Sequence, residues 1–287
     1  MNSGARHYVL TVSCPDGVGL VAAVSGLIAS WGGWLTEVSN HSDPDTKRFF
    51  MRNVIDAESL PFGIEEFRNG FLPLARRHQM EFAVRDSNER KRVAILVSRE
   101  AHCLADLLHR WRTGEMRYDL RAVVSNHEDT RDDVERLGVP FHLVPFPASG
   151  KEAAFAAVER LLEAERVDLV ILARFMQVLP PGLCERYAGR IVNIHHSFLP
   201  SFAGGRPYQQ AYERGVKLIG ATAHYVTSDL DEGPIIEQDV IRVDHSDTAE
   251  DMVRLGRDVE KAVLARGLRY HLEDRVLVHG NKTVVFR

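Results

Sequence analysis

Ile191-Val192-Asn193-Ile194-His195-His196-Ser197-Phe198-Leu199-Pro200 is the stretch on which the fold turns. Ile191 to His195 has the length and apolar content of a short buried strand. Side chains two apart on a strand leave the same face, so Asn193 and His195 point together. Strands of a parallel sheet are covered on both faces and read as continuous apolar runs. An amide and an imidazole at the carboxyl end of such a strand are costly unless they line a crevice. Open α/β sheets place their ligands at that end. Farther on, Asp229-Leu230-Asp231-Glu232-Gly233-Pro234 supplies carboxylates. An amide, an imidazole and a carboxylate form a workable set for attack on a carbonyl-level carbon.

The sequence upstream supports a parallel sheet. Apolar strands are predicted at Val93–Val97, Leu120–Ser125, Phe141–Val144 and Leu169–Ala173. They alternate with helices predicted at His102–Arg112, Thr130–Leu137 and Lys151–Glu165. That rhythm predicts a doubly wound, mostly parallel sheet with helices on both sides. Ile219–Val226 and Pro234–Val243 follow as a final strand pair, then a long helix over Asp247–Tyr270. Val276–Phe286, interrupted by His279-Gly280-Asn281, reads as a closing hairpin. The N-terminal part has another order. Strands at Tyr8–Cys14, Trp34–His41, Phe49–Ile55 and Gln79–Arg85 enclose helices at Val18–Trp31 and Ile64–Arg77. This is β-α-β-β-α-β, a ferredoxin-like α+β unit. The polar run Asp86-Ser87-Asn88-Glu89-Arg90-Lys91 reads as a linker. The expected division is therefore a first domain over 1–85, a linker over 86–91 and a second domain over 92–287.

Composition narrows the function. The chain has 287 residues, 45% of them hydrophobic, enough for two cores. A net charge of -4 and the lack of a long basic run disfavour nucleic acid as a partner. Three widely spaced cysteines, Cys14, Cys103 and Cys184, make neither a disulfide framework nor a zinc knuckle. No HExxH or local His/Cys cluster appears, so neither a metal nor another cofactor is expected. The N-terminus has no apolar signal core, and no stretch approaches the ~20 apolar residues of a membrane span. A soluble cytoplasmic protein, with no membrane partner, is the expectation.

Asn193-Ile194-His195-His196-Ser197-Phe198-Leu199-Pro200 followed by Leu230-Asp231-Glu232-Gly233-Pro234 resembles the folate-dependent formyltransferase family over about residues 92–287. That family includes glycinamide ribonucleotide and methionyl-tRNA formyltransferases and formyltetrahydrofolate deformylases. The N-terminal unit, with Pro15-Asp16-Gly17-Val18-Gly19-Leu20-Val21 and Phe49-Phe50-Met51-Arg52, is similar to an ACT domain. An ACT domain ahead of a formyltransferase-like domain most resembles the deformylase branch. The resemblance implies hydrolysis of 10-formyltetrahydrofolate to formate and tetrahydrofolate. It implies Asn193, His195 and Asp231 as the catalytic set. It places the pterin against Phe175-Met176-Gln177-Val178-Leu179 and the loop from Asp229 to Asp231. It further implies a homo-oligomer, with an amino acid effector near Asp16, Gly17 and Gly19.

The residues suit that chemistry. Attack by water on an N-formyl group puts negative charge on oxygen, which Asn193 and His195 can stabilise by hydrogen bonds. Asp231 can hold the water or favour protonated His195. One absence separates hydrolase from transferase. Leu96-Val97-Ser98-Arg99-Glu100-Ala101-His102 has no glycine where ribonucleotide-using relatives cradle a phosphate, and Glu100 opposes an anion unless a cation neutralises it. Water is then the favoured acceptor. The competing readings are a formyltransferase to a small amine and a non-catalytic folate or amino acid sensor. Some residues admit a plainer role. His196 is expected on the opposite face from His195. His224 is a pocket wall or a core histidine. Gly204-Gly205-Arg206-Pro207 is a loop closed by proline or an anion site, and Cys103 is a buried thiol before it is a reactive one.

Overall fold

The computed structural model describes residues 6–147, 149–201 and 207–287. Two compact units divide them. The first holds the residues up to Arg90 together with Glu273–His279 and Val284–Arg287; the second holds Lys91–Leu272 and Gly280–Thr283.

In the first unit, β1 (His7–Pro15), α1 (Leu20–Ser30), β2 (Trp34–Asp43), β3 (Arg48–Asp56), α2 (Ile64–Arg77) and β4 (Glu81–Asp86) follow in order. Its antiparallel sheet has the order β2-β3-β1-β4, the ferredoxin-like arrangement. Alternate residues of β1, Tyr8, Leu10, Val12 and Cys14, face one core. Leu20, Val24 and Ile28 of α1 and Phe67, Phe71 and Ala75 of α2 enter the same core at helical spacing. On β3, Arg52 is 1% exposed; its Nη1 donates to Glu37 Oε1 at 2.7 Å and its Nη2 to the Glu273 carbonyl at 3.0 Å. The Phe50 ring lies 5.4 Å from that of His279. These contacts draw much of the C-terminal tail into the first unit. The sequence reading, which assigned everything after residue 92 to the second domain, differs here. Strand periodicity identifies the face carrying Phe50 and Arg52 but not the segment that covers it.

The second unit runs β5 (Arg92–Val97), α3 (His102–Arg112), β6 (Asp119–Ser125), α4 (Arg131–Glu135), β7 (Phe141–Leu143), α5 (Lys151–Ala164), β8 (Leu169–Ala173), α6 (Pro181–Arg186), β9 (Ile191–His195), α7 (Pro207–Arg214), β10 (Leu218–Tyr225), β11 (Ile235–Arg242) and α8 (Ala249–Leu272). The expected closing hairpin is present as β12 (Val276–His279) and β13 (Lys282–Val285). The seven-stranded sheet has the order β11-β10-β9-β8-β5-β6-β7. β5 to β9 pair in parallel, and β10 and β11 add antiparallel. The short helix α6, led by Pro180-Pro181, was absent from the sequence reading; six residues are too few for a periodic signal.

The chain leaves β5 for β6 and β7, then returns to β8 and β9 on the other side. That reversal makes a switch point at the carboxyl ends of β5 and β8, with β9 next in line. All five residues of β8 are buried, as covered parallel strands require. On one side Ala154, Phe155, Val158 and Leu162 of α5 share a core with Val170 and Leu172. On the other, α8 lies close against β10. A Cβ on Gly267 would come 2.9 Å from Ala223 Cβ, so glycine is what permits the approach.

Candidate active site

A cavity of about 270 Å³ opens at the carboxyl ends of β8 and β9 and is closed by the loop that follows β10. Its lining includes Asn193, His195 and Asp231, which are far apart in sequence. Phe175, Met176, Gln177, Val178, Leu179, His224 and Asp229 line the same space. Every position read from the sequence as catalytic or pterin-facing therefore borders one cavity. Asp16, Gly17 and Gly19 lie elsewhere, in the exposed turn before α1. Gly19 takes φ 88° at the helix start, a conformation glycine adopts without a Cβ penalty. Gly204, Gly205 and Arg206 fall outside the described residues, so the proposed anion loop has no structural account.

The polar groups are ordered by a chain of hydrogen bonds. A backbone carbonyl can only accept, so His224 Nδ1 must donate to the Tyr225 oxygen at 2.9 Å. Burial lowers the pKa of this imidazole, which favours the neutral ring. His224 Nε2 is then an acceptor. It lies 3.1 Å from Asn193 Nδ2, which must donate to it. The even choice between pocket wall and core histidine is thereby resolved: His224 borders the cavity and sets which way the Asn193 amide faces.

His195 is 5% exposed. Its Nδ1 lies 3.2 Å from Asp231 Oδ1, while its Nε2 is buried without a partner among the described residues. The His195 hydrogen bond holds the Asp231 carboxyl below its ordinary range, against the opposing effect of burial. Asp231 is thus a carboxylate across the neutral range. It also lies 3.8 Å from His224 Nε2.

Asp231 reaches this place through local backbone geometry. Its φ is 58°, in the left-handed region that Asp tolerates better than most residues. Gly233 then passes so near β10 that a Cβ would lie 1.8 Å from the Tyr225 carbonyl oxygen. The Glu232-Gly233-Pro234 turn signal is a requirement for close approach. Behind β9, Thr222 accepts from Leu199 N at 3.0 Å and donates to the Ser197 carbonyl at 2.9 Å, tying down the loop that follows His195. Ser98 Oγ accepts from Met176 N at 3.0 Å and donates to Asn126 Oδ1 at 2.7 Å, anchoring the Phe175–Leu179 segment.

His196 differs from its expected place. It too borders the cavity, with its ring 5.1 Å from that of His195. β9 ends at His195, so strand alternation no longer governs the next residue. Burial, with Arg174 and His195 nearby, pushes the His196 pKa down to about 3.

A second polar cluster escaped the sequence reading. Glu260 of α8 is 1% exposed. Its Oε2 meets His102 Nε2 at 2.8 Å and its Oε1 accepts from Tyr208 Oη at 2.6 Å. Arg174 Nε is 3.4 Å from Oε2. Burial pushes the carboxyl upward, but the His102 bond, the Arg174 charge and the Tyr208 hydroxyl outweigh it and hold it below its usual range. Gly256 makes room for this: a Cβ there would fall 2.1 Å from Tyr208 Oη. His102, Cys103 and Glu260 are also a group that could hold a metal, with ligand atoms within 4.8 Å of one another. Burial pushes the thiol of Cys103 well above its ordinary pKa. Glu100, expected to repel an anion unless neutralised, has Arg257 Nη2 at 2.7 Å on a half-exposed surface.

Residues 91–268 match the formyl transferase family. Over 278 residues the chain is 48% identical to a formyltetrahydrofolate deformylase of Bacillus subtilis, covering 96% of this chain and 93% of the relative. A crystal structure of a formyltetrahydrofolate deformylase from Pseudomonas syringae pv. tomato matches with a TM-score of 0.98 at 57% identity, covering 100% of this chain and 96% of that one. A glycinamide ribonucleotide transformylase 1 from Symbiobacterium toebii matches with a TM-score of 0.66 at 32% identity, over 69% of this chain and 95% of that one. The whole-chain similarity is thus to deformylases and the partial similarity to transformylases. This chain belongs to the formyl transferase family and, within it, to the formyltetrahydrofolate deformylases.

Proposed function

We propose that water attacks the formyl carbon of 10-formyltetrahydrofolate in this cavity, releasing formate and tetrahydrofolate. The activity follows from the family; the residue roles are our reading of the geometry. One observation carries them: His195 Nδ1 is held by Asp231, while Nε2 is left open and buried at the cavity. As attack forms the C–O bond, the carbonyl π pair moves onto oxygen. Asn193, its amide oriented by His224, and protonated His195 donate to that oxyanion. A single preorganised donor of this kind is worth about 10²–10³ in rate. Asp231 stabilises the charged imidazole. Collapse breaks the C–N bond, the pair goes to nitrogen, nitrogen takes the proton from His195 Nε2, and the two protons of the attacking water pass to the vacated Nε2 and to solvent. Met176, Val178 and Leu230, exposed where they border the cavity, supply apolar surface for the pterin. The reading needs no metal, so chelation by EDTA leaves the rate unchanged.

The first unit acts as an ACT module in this proposal. Its β-α-β-β-α-β order supports that role, and the turn at Asp16, Gly17 and Gly19 is the place for an amino acid effector. Glycine and methionine, each added to the assay, test this. We also propose that chains associate into a homo-oligomer in the cytoplasm. Among the described residues no helix is long and apolar enough to cross a membrane.

The deciding experiment is incubation of the purified chain with 10-formyltetrahydrofolate and no amine. Formate and tetrahydrofolate should appear in equal amounts. Formyl release only upon adding an amine acceptor would replace hydrolysis with transfer.

A further inference from the structure

The reaction makes a charge that its substrate does not carry: a neutral formyl group and water end as a formate anion. Among the described residues lining the cavity Arg174 is the sole lysine or arginine, alongside the acids Asp229 and Asp231. It directly follows β8 and takes φ 63°, an unusual conformation for a side chain of this size. Its side chain is 12% exposed. Nε lies near Glu260 without hydrogen-bond geometry, and Nε and Nη1 are both buried with no partner among the described residues. Glu260, for its part, is already engaged by His102 and Tyr208. Glu260 balances the guanidinium charge while leaving Nε and Nη1 without a hydrogen bond among the described residues. A guanidinium has only donors, and a planar carboxylate is the acceptor that its fork fits. Unfilled donors in a buried place are unfavourable, which makes an anion the natural occupant.

We propose that Arg174, held by Glu260, is the formate-binding residue of this cavity. The inference rests on the hydrolytic reading above. When the tetrahedral adduct collapses, the C–N pair leaves with nitrogen, which takes the proton from His195 Nε2; the new C–O bond stays with carbon, and the acid proton passes to solvent or to the vacated Nε2. The carboxylate that remains is received at the Nη end of the Arg174 guanidinium, where Nη1 is buried and unpartnered among the described residues while Nε faces Glu260. A second carboxylate source exists, the glutamate tail of the folate. Arg174 sits among His196 and Glu260, at the buried side of the cavity, whereas Met176, Val178 and Leu230 mark the exposed mouth that a long tail would leave through. The small anion is the one that fits.

Binding can be read without turnover. ¹³C-formate, titrated with the intact chain in the absence of folate, should broaden with the wild type and not with Arg174→Met; Arg174→Lys should restore part of the effect. In turnover, sodium formate should inhibit the wild type beyond matched sodium chloride. Arg174→Met should weaken that inhibition by at least tenfold, with KM for 10-formyltetrahydrofolate changed less than threefold. If KM rises and formate behaves alike in both proteins, Arg174 holds the tail and the proposal is wrong. Equal response to formate with an unchanged KM, absence of any response included, also overturns it. Formate binding without formate production would instead fault the hydrolytic reading and leave the subsite standing.

Discussion

Two buried polar clusters lie in the same α/β unit, and they differ in how they are closed. In one, Glu260 has both carboxylate oxygens engaged, by His102 and Tyr208, and Gly256 is kept small so that the tyrosine fits. In the other, Asn193 bonds His224 and His195 bonds Asp231, two pairs side by side that leave His195 Nε2 open at the cavity. Burial makes unsatisfied polar atoms expensive, and Glu260 lowers that cost by engaging both its oxygens, leaving only His102 Nδ1 of its hydrogen-bonded partners without a bond among the described residues. The second carries the cost, which is what a site awaiting a reacting atom requires. Arg174 lies between the two, paired in charge with one and lining the cavity of the other.

The comparison can be broken by exchanging the effects. Glu260→Ala should be the most damaging to stability, by about 3–5 kcal/mol in urea unfolding, because it leaves a buried cation without its counter-charge. A loss under about 1 kcal/mol would remove the distinction. Asp231→Asn and His195→Ala should instead keep cooperative unfolding and lower formate release by at least ~10²-fold. Full activity in both would overturn the site assignment. His224→Leu sharpens the contrast within the open cluster. It should reduce kcat by about 10–100-fold with little change in KM, since it misaligns Asn193 and removes no apolar contact to the pterin.

The last effect concerns acid stability and is felt only as pH falls below the neutral range. The folded-state pKa of His196, about 3, lies below the ordinary imidazole value of 6.5. The unfolded chain therefore binds the proton first as pH falls. The stabilisation from a neutral His196 is complete above 6.5, erodes between 6.5 and about 3, and is gone below that. Its slope is at most about 1.4 kcal/mol per pH unit. His196→Gln should flatten the stability profile in that window; an unchanged slope would show that the imidazole is solvated. Asp231 acts lower on the scale. Its depressed pKa contributes stability above the ordinary aspartate value, lost as pH falls through the folded one.

Asn193 and His195 were legible because strand alternation is a local rule, and polar residues at such a strand end stand out against apolar neighbours. Asp231 was reached by resemblance, since Asp-Glu-Gly-Pro alone is an ordinary turn. His196 was misplaced by extending alternation one residue beyond the end of β9. The C-terminal tail was read as part of the second domain because the carbonyls that Arg52 meets there lie more than two hundred residues away. Arg174 and Glu260 gave no signal at all: a lone arginine after a strand and a glutamate in a long helix are usual surface residues.

The order of elements apart from α6, the parallel sheet, the ferredoxin-like unit and the strand bearing Asn193 and His195 came from periodicity and turn chemistry, which act over a few residues. Only the tertiary structure decided which way the Asn193 amide faces, that His195 keeps one nitrogen open, and that Arg174 enters the cavity with Glu260 behind it. Those outcomes depend on distances and burial between segments remote in sequence, and no local pattern encodes a distance between such segments.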